Sequence, residues 1–514
     1  MAIKTFAAID VGSFELTMKI YEFKGKDKAR VIDTMVTRLA LGADTYTTGK
    51  ISNEKVEELC RILSDFRRVM DSYQVSAYKA YGTSAIRETE NCAILLDKIE
   101  QRTGIHVDLL SNSEQRFLDY KSIASTGDMF RRVIEENTAI LDIGGGSIQI
   151  SLFEKDTLVS TQNLRLGVLR IQERLKPFRA DLSQMEGLID EMVSAQLGTY
   201  RKLYLQERTV KNIIIVDDYI APWAVRRASA GGVEAVLDRE QFTQLQQILH
   251  SHSEYQTAIS MDIPEEKVPL LLISVVLTRR IAEMMGAEKI WAPGTTLSDG
   301  IAYEYMEKQN LLSRKHDFEK DIIACAVNIS KRYMGSRSRA ETLRTIAGTI
   351  FDSTKKIHGM GAREHLFLDI AAILHDCGKY ISLTNLGDRS FDIVMNTEII
   401  GLSHLEREIV AYVVKFNHSP FEYYATGGKY RNLDRESYLI VAKLTAILRM
   451  ANALDRSHKK KMVEVKAKLQ ENELILTADT ADNVLLEQAY FEEVADFFQE
   501  VFSARPVLRL RKTL

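Results

Sequence analysis

Over roughly the first 300 positions, apolar residues alternate between short continuous runs and 3.6-residue spacing, the pattern of an α/β architecture. Thr5–Val11 and Leu16–Phe23 are β-rich runs on either side of a Gly12–Ser13 turn and predict a hairpin. Asn53–Tyr73 predicts a helix, with Val56, Leu59, Ile62, Leu63, Phe66, Val69 and Met70 along one face. A strand at Ala77–Tyr81, a further helix and a strand at His106–Leu110 complete a first lobe. The opening then recurs. Thr138–Ile143, a glycine-rich turn and Ile148–Glu154 repeat the order of apolar run, Asp, Gly turn and apolar run. Asp10 and Asp142 each stand two residues before the first glycine of their turn, as expected of a cleft between two related lobes.

From about Asp317 the alternation stops. Phe318–Met334, Ala340–His358, Glu364–His375, Glu406–Phe416 and Ser437–Leu454 all carry apolar residues at helical spacing. Strands at Val463–Leu469 and Glu473–Thr477, a helix at Phe491–Phe502 and a strand at Pro506–Leu510 predict a small α/β appendage. The predicted domains are therefore 1–126 (lobe I), 127–312 (lobe II), 313–460 (helical) and 461–514 (C-terminal α/β).

A chain of 514 residues exceeds what one hydrophobic core usually organises. Its 45% hydrophobic and 27% charged content is ordinary for a globular protein, and a net charge of −3 offers no overall attraction to nucleic acid or membrane. Basic clusters at Lys459–Lys461 and at Arg509, Arg511 and Lys512 are candidates to line a polyanion channel, with solvated surface as the default reading. Cys60, Cys92, Cys325 and Cys377 show no paired spacing and read as free thiols. The N-terminus lacks a signal-peptide pattern and no apolar run is long enough to span a membrane, so the expected location is cytoplasmic. The aromatic pairs Tyr423–Tyr424 and Phe497–Phe498 read as core.

The chemistry concentrates in Leu141-Asp-Ile-Gly-Gly-Gly-Ser147. Glycines let backbone N–H groups face one concavity suited to phosphate oxygens, and a strand-end Asp can hold a divalent cation against them. This stretch combines with AAIDVGS, YGTSAIRE (Tyr81–Glu88), LSNSEQ (Leu110–Gln115) and LGVLRIQE (Leu166–Glu173) in one ordered set. LHDCGKYIS (Leu374–Ser382), GLSHLEREIVAYV (Gly401–Val413) and LRMANALDRSH (Leu448–His458) continue it. Together they resemble the exopolyphosphatase/guanosine-pentaphosphate phosphohydrolase family over nearly the whole chain. The resemblance implies duplicated actin-like (ASKHA, ribonuclease H-like) phosphatase lobes, then an all-α HD-like domain and a small C-terminal α/β subdomain. It also implies Mg²⁺-assisted water attack on the terminal phosphate of polyphosphate or of guanosine pentaphosphate, and a homodimer.

Carried onto this chain, the resemblance makes Asp10 and Asp142 metal-binding aspartates. It makes Gly12, Ser13, Gly144, Gly145, Gly146 and Ser147 the phosphate-binding turns, and Arg87 a phosphate contact. Two positions depart from the family. Its water-activating Glu corresponds to Gln115, and the Glu after its glycine loop corresponds to Gln149. A glutamine orients water but accepts no proton. Glu15, Glu114 or Asp218 is then the compensating acid, with Glu15 preferred. The alternative is a regulatory protein that binds polyphosphate or guanosine penta/tetraphosphate without turnover. In the helical region an HD-type resemblance makes His358, His375, Asp376 and Asp455 candidate ligands of a second metal, against a vestigial domain used for packing.

Overall fold

The structure is a computed structural model that describes residues 4–26, 29–178, 182–231, 235–313, 316–424 and 433–512. The chain forms two compact units, Met1–Asp317 and Phe318–Leu514. The first holds two mixed sheets. One is built from β1 (Lys4–Val11), β2 (Glu15–Phe23), β3 (Ala29–Arg38), β4 (Ala77–Gly82) and β5 (Val107–Leu109), in the order β3-β2-β1-β4-β5. The other contains β6 (Thr138–Ile143), β7 (Ile148–Glu154), β8 (Thr157–Leu164), β9 (Asn212–Asp217), β10 (Val236–Asp238) and β11 (Lys289–Trp291), in the order β10-β11-β9-β6-β7-β8.

In each sheet the first three strands form an antiparallel meander, and the first strand pairs in parallel with the fourth. The repeat seen in the residue pattern is thus a repeat of topology. β1 and β6 lie inside their sheets, which explains why both read as continuous apolar runs: Phe6–Ile9 and Thr138–Ile143 are buried. β3 has no counterpart in the predicted elements. It is an edge strand whose mostly exposed residues give no strong apolar pattern, and its ladder to β2 holds it in place.

The two lobes share a seam. Helix Asn112–Ala124 and helix Leu297–Lys308 pack so closely that a Cβ on Gly300 would collide with the carbonyl of Leu118. Phe6, Phe23 and Tyr305 stack beside that crossing.

In the second unit, helices Phe318–Arg332, Arg337–Ser353, Ala362–Leu374, His404–Phe416 and Arg435–Leu454 surround an apolar core. β12 (Glu464–Gln470), β13 (Glu473–Thr480) and β14 (Arg505–Lys512) form a three-stranded sheet with helix Leu485–Phe502. Helix Arg435–Leu454 is long and apolar enough to cross a membrane, but 78% of its apolar window is buried within the protein, as suits a central core helix. Tyr423 and Tyr424 are 61% and 44% exposed, contrary to their reading as core. The Tyr423 hydroxyl donates to Glu500, so its polar end draws it outward. The side chain of Lys512 in the basic C-terminal cluster lies outside the described residues.

Gly300→Ala should lower stability by about 1–3 kcal/mol, because the added methyl meets backbone that cannot rotate away. Gly187→Ala is the control. That glycine is exposed on helix Leu182–Tyr200 with open space at its Cβ, and should gain roughly 0.5–1 kcal/mol of helix propensity. Equilibrium urea denaturation of both variants reads the opposite signs.

Candidate active site

The two glycine turns meet at the seam around a cavity of about 90 Å³. Asp10, Gly12, Ser13 and Glu15 line it from the first turn, and Asp142, Gly144, Gly145 and Ser147 from the second. Gly12 is required sterically, since a Cβ there would stand 2.7 Å from the carbonyl oxygen of Glu15. Gly145 and Gly146 serve a second purpose. They bring lobe II against a ring of lobe I hydroxyls, where Ser13, Tyr46 and Ser84 lie 2.8–2.9 Å from one another. Arg170 reinforces this contact by stacking over Tyr46, donating to the Gly146 carbonyl at 2.9 Å and pairing with Glu88 at 2.7 Å. Among the described residues, no hydrogen bond engages the N–H groups of Gly145 or Ser147, which leaves those donors for an anion.

Helix Asn112–Ala124 supplies the cavity's third side. Ser111 caps it, and Glu114 closes the capping box by accepting from the Ser111 N–H at 2.9 Å. Glu114 is therefore engaged with its own helix and is not among the cavity's lining residues. Gln115 does line the cavity, and so does Asp119, four residues along and on the same helix face. Asp119 escaped the sequence reading because an Asp inside an amphipathic helix normally reads as solvated surface. Here it is 3% exposed, and its Oδ2 has no hydrogen-bond partner. Thr295, Thr296 and Ser298, at the start of helix Leu297–Lys308, were also missed. Gly294 followed by two threonines before that helix was the available signal.

The cavity is strongly acidic. Burial and the charges of Asp218, Glu15 and Asp142 raise the Asp10 carboxyl well above its ordinary value. Burial and neighbouring Asp142 do the same to Asp119. Asp142 is pushed up to about 6 by burial, although its hydrogen bond to Asp119 and the charge of Arg116 oppose the shift. Asp218 reaches cleft water, yet confinement among cleft atoms and the charge of Glu15 raise it to about 7. Asp217 serves the fold instead. Its carboxylate accepts from the N–H groups of Ile220 and Ala221 at the start of helix Ile220–Gly231, and from Ser274.

Other sequence candidates lie elsewhere. Arg87 donates to the Leu110 carbonyl and to Asn112, both at 2.5 Å, so it braces the loop entering helix Asn112–Ala124 and is not among the residues lining the cavity. Gln149 is 1% exposed behind the glycine turn, where its Oε1 accepts from Arg116 at 2.9 Å. Gly146 likewise packs against Tyr46 and Ser84 and does not line the cavity. Glu15 lines it but pairs with Lys267 of lobe II at 2.7 Å.

The four candidates for a second metal do not fit one. His358 has both ring nitrogens engaged, with the Phe351 carbonyl and the Met360 N–H. The Nε2 of His375 accepts from Arg339 at 2.9 Å, so a guanidinium stands against the lone pair a metal would use. Among the described residues, no three His, Cys, Asp or Glu side chains form a ready-made metal cluster. That finding includes the interlobe cavity. Its all-oxygen donors, two of them without partners (Asp10 Oδ1 and Asp119 Oδ2), nevertheless suit Mg²⁺, which keeps several waters and needs few carboxylates.

A cleft between two topologically matched lobes, with carboxylates opposite glycine turns, is the architecture of a phosphate-handling protein. The chain belongs to the Ppx/GppA phosphatase family, whose model matches residues 23–309, while the model of Ppx/GppA phosphatase domain III matches residues 324–494. The guanosine-5'-triphosphate,3'-diphosphate pyrophosphatase of Vibrio cholerae is 22% identical over 497 residues, covering 92% of each chain. The bifunctional 3-dehydroquinate synthase/phosphatase of Fusobacterium nucleatum is 25% identical over 175 residues, 33% of this chain and 26% of that enzyme. A crystal structure of an exopolyphosphatase-like protein shares the fold, at 18% identity and a TM-score of 0.50 over 60% of this chain and all of the other.

The acidic cavity has a consequence for stability. A carboxyl whose folded value is raised binds protons more tightly in the folded chain, so stability falls as pH rises from about 4 toward about 7. Thermal melts in chelator should therefore show the first unit less stable at about pH 8 than at about pH 5. Mg²⁺ should restore much of the loss at the higher pH. A double variant, Asp142→Asn with Asp218→Asn, should flatten both responses.

Proposed function

We propose that this chain is a phosphohydrolase that removes the terminal phosphoryl group of a phosphoanhydride, polyphosphate or guanosine pentaphosphate, in the interlobe cavity. The observation that carries the reading is the pairing of unpartnered buried carboxylate oxygens, on Asp10 and Asp119, with the unengaged N–H groups of Gly145 and Ser147 around one cavity. Its volume of about 90 Å³ has room for a phosphoryl group and a water, so the reading concerns the end of the phosphate chain. Mg²⁺ held by Asp10 and Asp142 would screen the charge of the phosphate oxygens.

The residues divide the remaining work. The glycine-turn amides and the Ser13 hydroxyl bind and orient the terminal phosphoryl group. In this reading the Gln115 amide would position the attacking water, and Asp119, one helical turn away on the same wall of the cavity, would accept its proton. The Glu15 carboxylate, already paired with Lys267, serves better to join the lobes than to take a proton. The second reading, a binding protein without turnover, is favoured by one observation: Gln115 and Gln149 present amides where the family places carboxylates.

Phosphate release from polyphosphate and from guanosine pentaphosphate, with Mg²⁺, tests the proposal. Asp119→Asn should lower kcat by about 10²–10⁴-fold, while Glu15→Gln should act mainly on stability. If wild type binds polyphosphate but releases nothing, and Gln115→Glu creates release, the second reading replaces the first.

A further inference from the structure

The cluster around Arg339 in the helical unit belongs to no step proposed for the cavity. Arg339 lies on helix Arg337–Ser353 and is 5% exposed. Its Nε donates to His375 Nε2 at 2.9 Å, its Nη1 to the Asp455 carbonyl at 3.2 Å and its Nη2 to Asn452 Oδ1 at 2.5 Å. Nη1 also stands 4.0 Å from Asp455 Oδ2. These acceptors come from the end of helix Ala362–Leu374 and the end of helix Arg435–Leu454. One planar fork therefore ties three helices together.

The surroundings are those of a cation site. His375 donates from Nδ1 to the Ala372 carbonyl at 2.8 Å, which fixes the tautomer and turns the Nε2 lone pair toward Arg339. His418 donates to the His375 carbonyl at 2.8 Å. Asp376 Oδ2 lies 3.7 Å from His375 Nε2 and accepts from Lys379. Two buried carboxylate oxygens, Asp376 Oδ1 and Asp455 Oδ2, have no hydrogen-bond partner, an arrangement expensive to keep without a nearby positive charge. No three of these side chains form a ready-made cluster while Arg339 is present. Its removal would free the His375 Nε2 lone pair beside the Asp376 and Asp455 carboxylates, nitrogen and oxygen donors of the kind a borderline transition metal such as Zn²⁺ or Co²⁺ takes.

We infer that the Arg339 guanidinium is the built-in cation of this site. It holds His375, Asp455 and Asn452 in place of a metal, so the helical unit takes no divalent metal while Arg339 is present and gains a transition-metal site when it is removed. A guanidinium suits this role because it is permanently charged, weakly hydrated and carries several donors in a fixed fork. The site's integrity then depends on no metal supply.

Co²⁺ titration of the full chain, in excess Mg²⁺ to occupy the all-oxygen cavity, tests the inference. The readouts are the visible absorption of nitrogen-ligated Co²⁺ and the melting temperature. Wild type should show no such band and no Co²⁺-dependent stabilisation. Arg339→Ala should melt roughly 5–10 °C lower, bind about one Co²⁺, and recover part of the loss on binding. The band should vanish when His375→Ala is added. Arg339→Gln, which keeps most of the stem, carries the same expectation should the alanine variant fail to fold. A nitrogen-ligated band in wild type that His375→Ala abolishes would overturn the inference. So would Arg339 variants that neither lose stability nor gain Co²⁺.

Discussion

Repulsion among carboxylates at the interlobe seam is the constraint on which the first unit turns. Asp10, Glu15, Asp119, Asp142 and Asp218 crowd one small cavity, and burial makes the charges of Asp10, Asp119 and Asp142 harder to keep. Without added cations the chain answers in three ways. Asp119 and Asp142 share a hydrogen bond, Arg116 stands behind Asp142, and Lys267 crosses from lobe II to Glu15. None of these neutralises Asp10. Like-charge crowding of this kind is destabilising, so it persists where a cationic or metal-bridged ligand offsets it.

Holding the carboxylates that close together requires an unusually tight seam. Gly145 and Gly146 let one lobe's turn touch the other's hydroxyls, and Gly300 lets helix Leu297–Lys308 reach the backbone of helix Asn112–Ala124. Arg170, stacked on Tyr46 and paired with Glu88, fastens the same contact from outside. Gly145 thus has two duties, lining the cavity and removing a side chain that would keep the lobes apart, whereas Gly146 and Gly300 serve the second alone. A substitution at Gly145 would disturb both at once.

The two units meet a similar electrostatic problem with different cations. In the cavity the donors are all oxygen, and a hydrated divalent ion fits them. In the helical unit a histidine lone pair and the Asp455 carboxylate lie against Arg339, whose charge is covalently part of the chain. His375 and Asp376, adjacent in the sequence and suggestive of metal, are engaged instead by Arg339 and Lys379.

The residue pattern alone determined the repeated strand–turn–strand openings, the switch to helices near Asp317 and the glycine turns beside Asp10 and Asp142. These are local signals: periodicity, turn chemistry and residue type at short range report on short-range structure. It also exposed Gln115 and Gln149 at positions where the resemblance implies carboxylates. What it could not decide were partners. Glu114 became a cap, Arg87 a loop brace and Gln149 a buried acceptor, while Asp119, unremarkable in its helix, turned into the cavity. A side chain's role depends on which distant groups surround it. Only the packing of one lobe on the other, and of helix Arg337–Ser353 on its neighbours, brings those groups within hydrogen-bond reach.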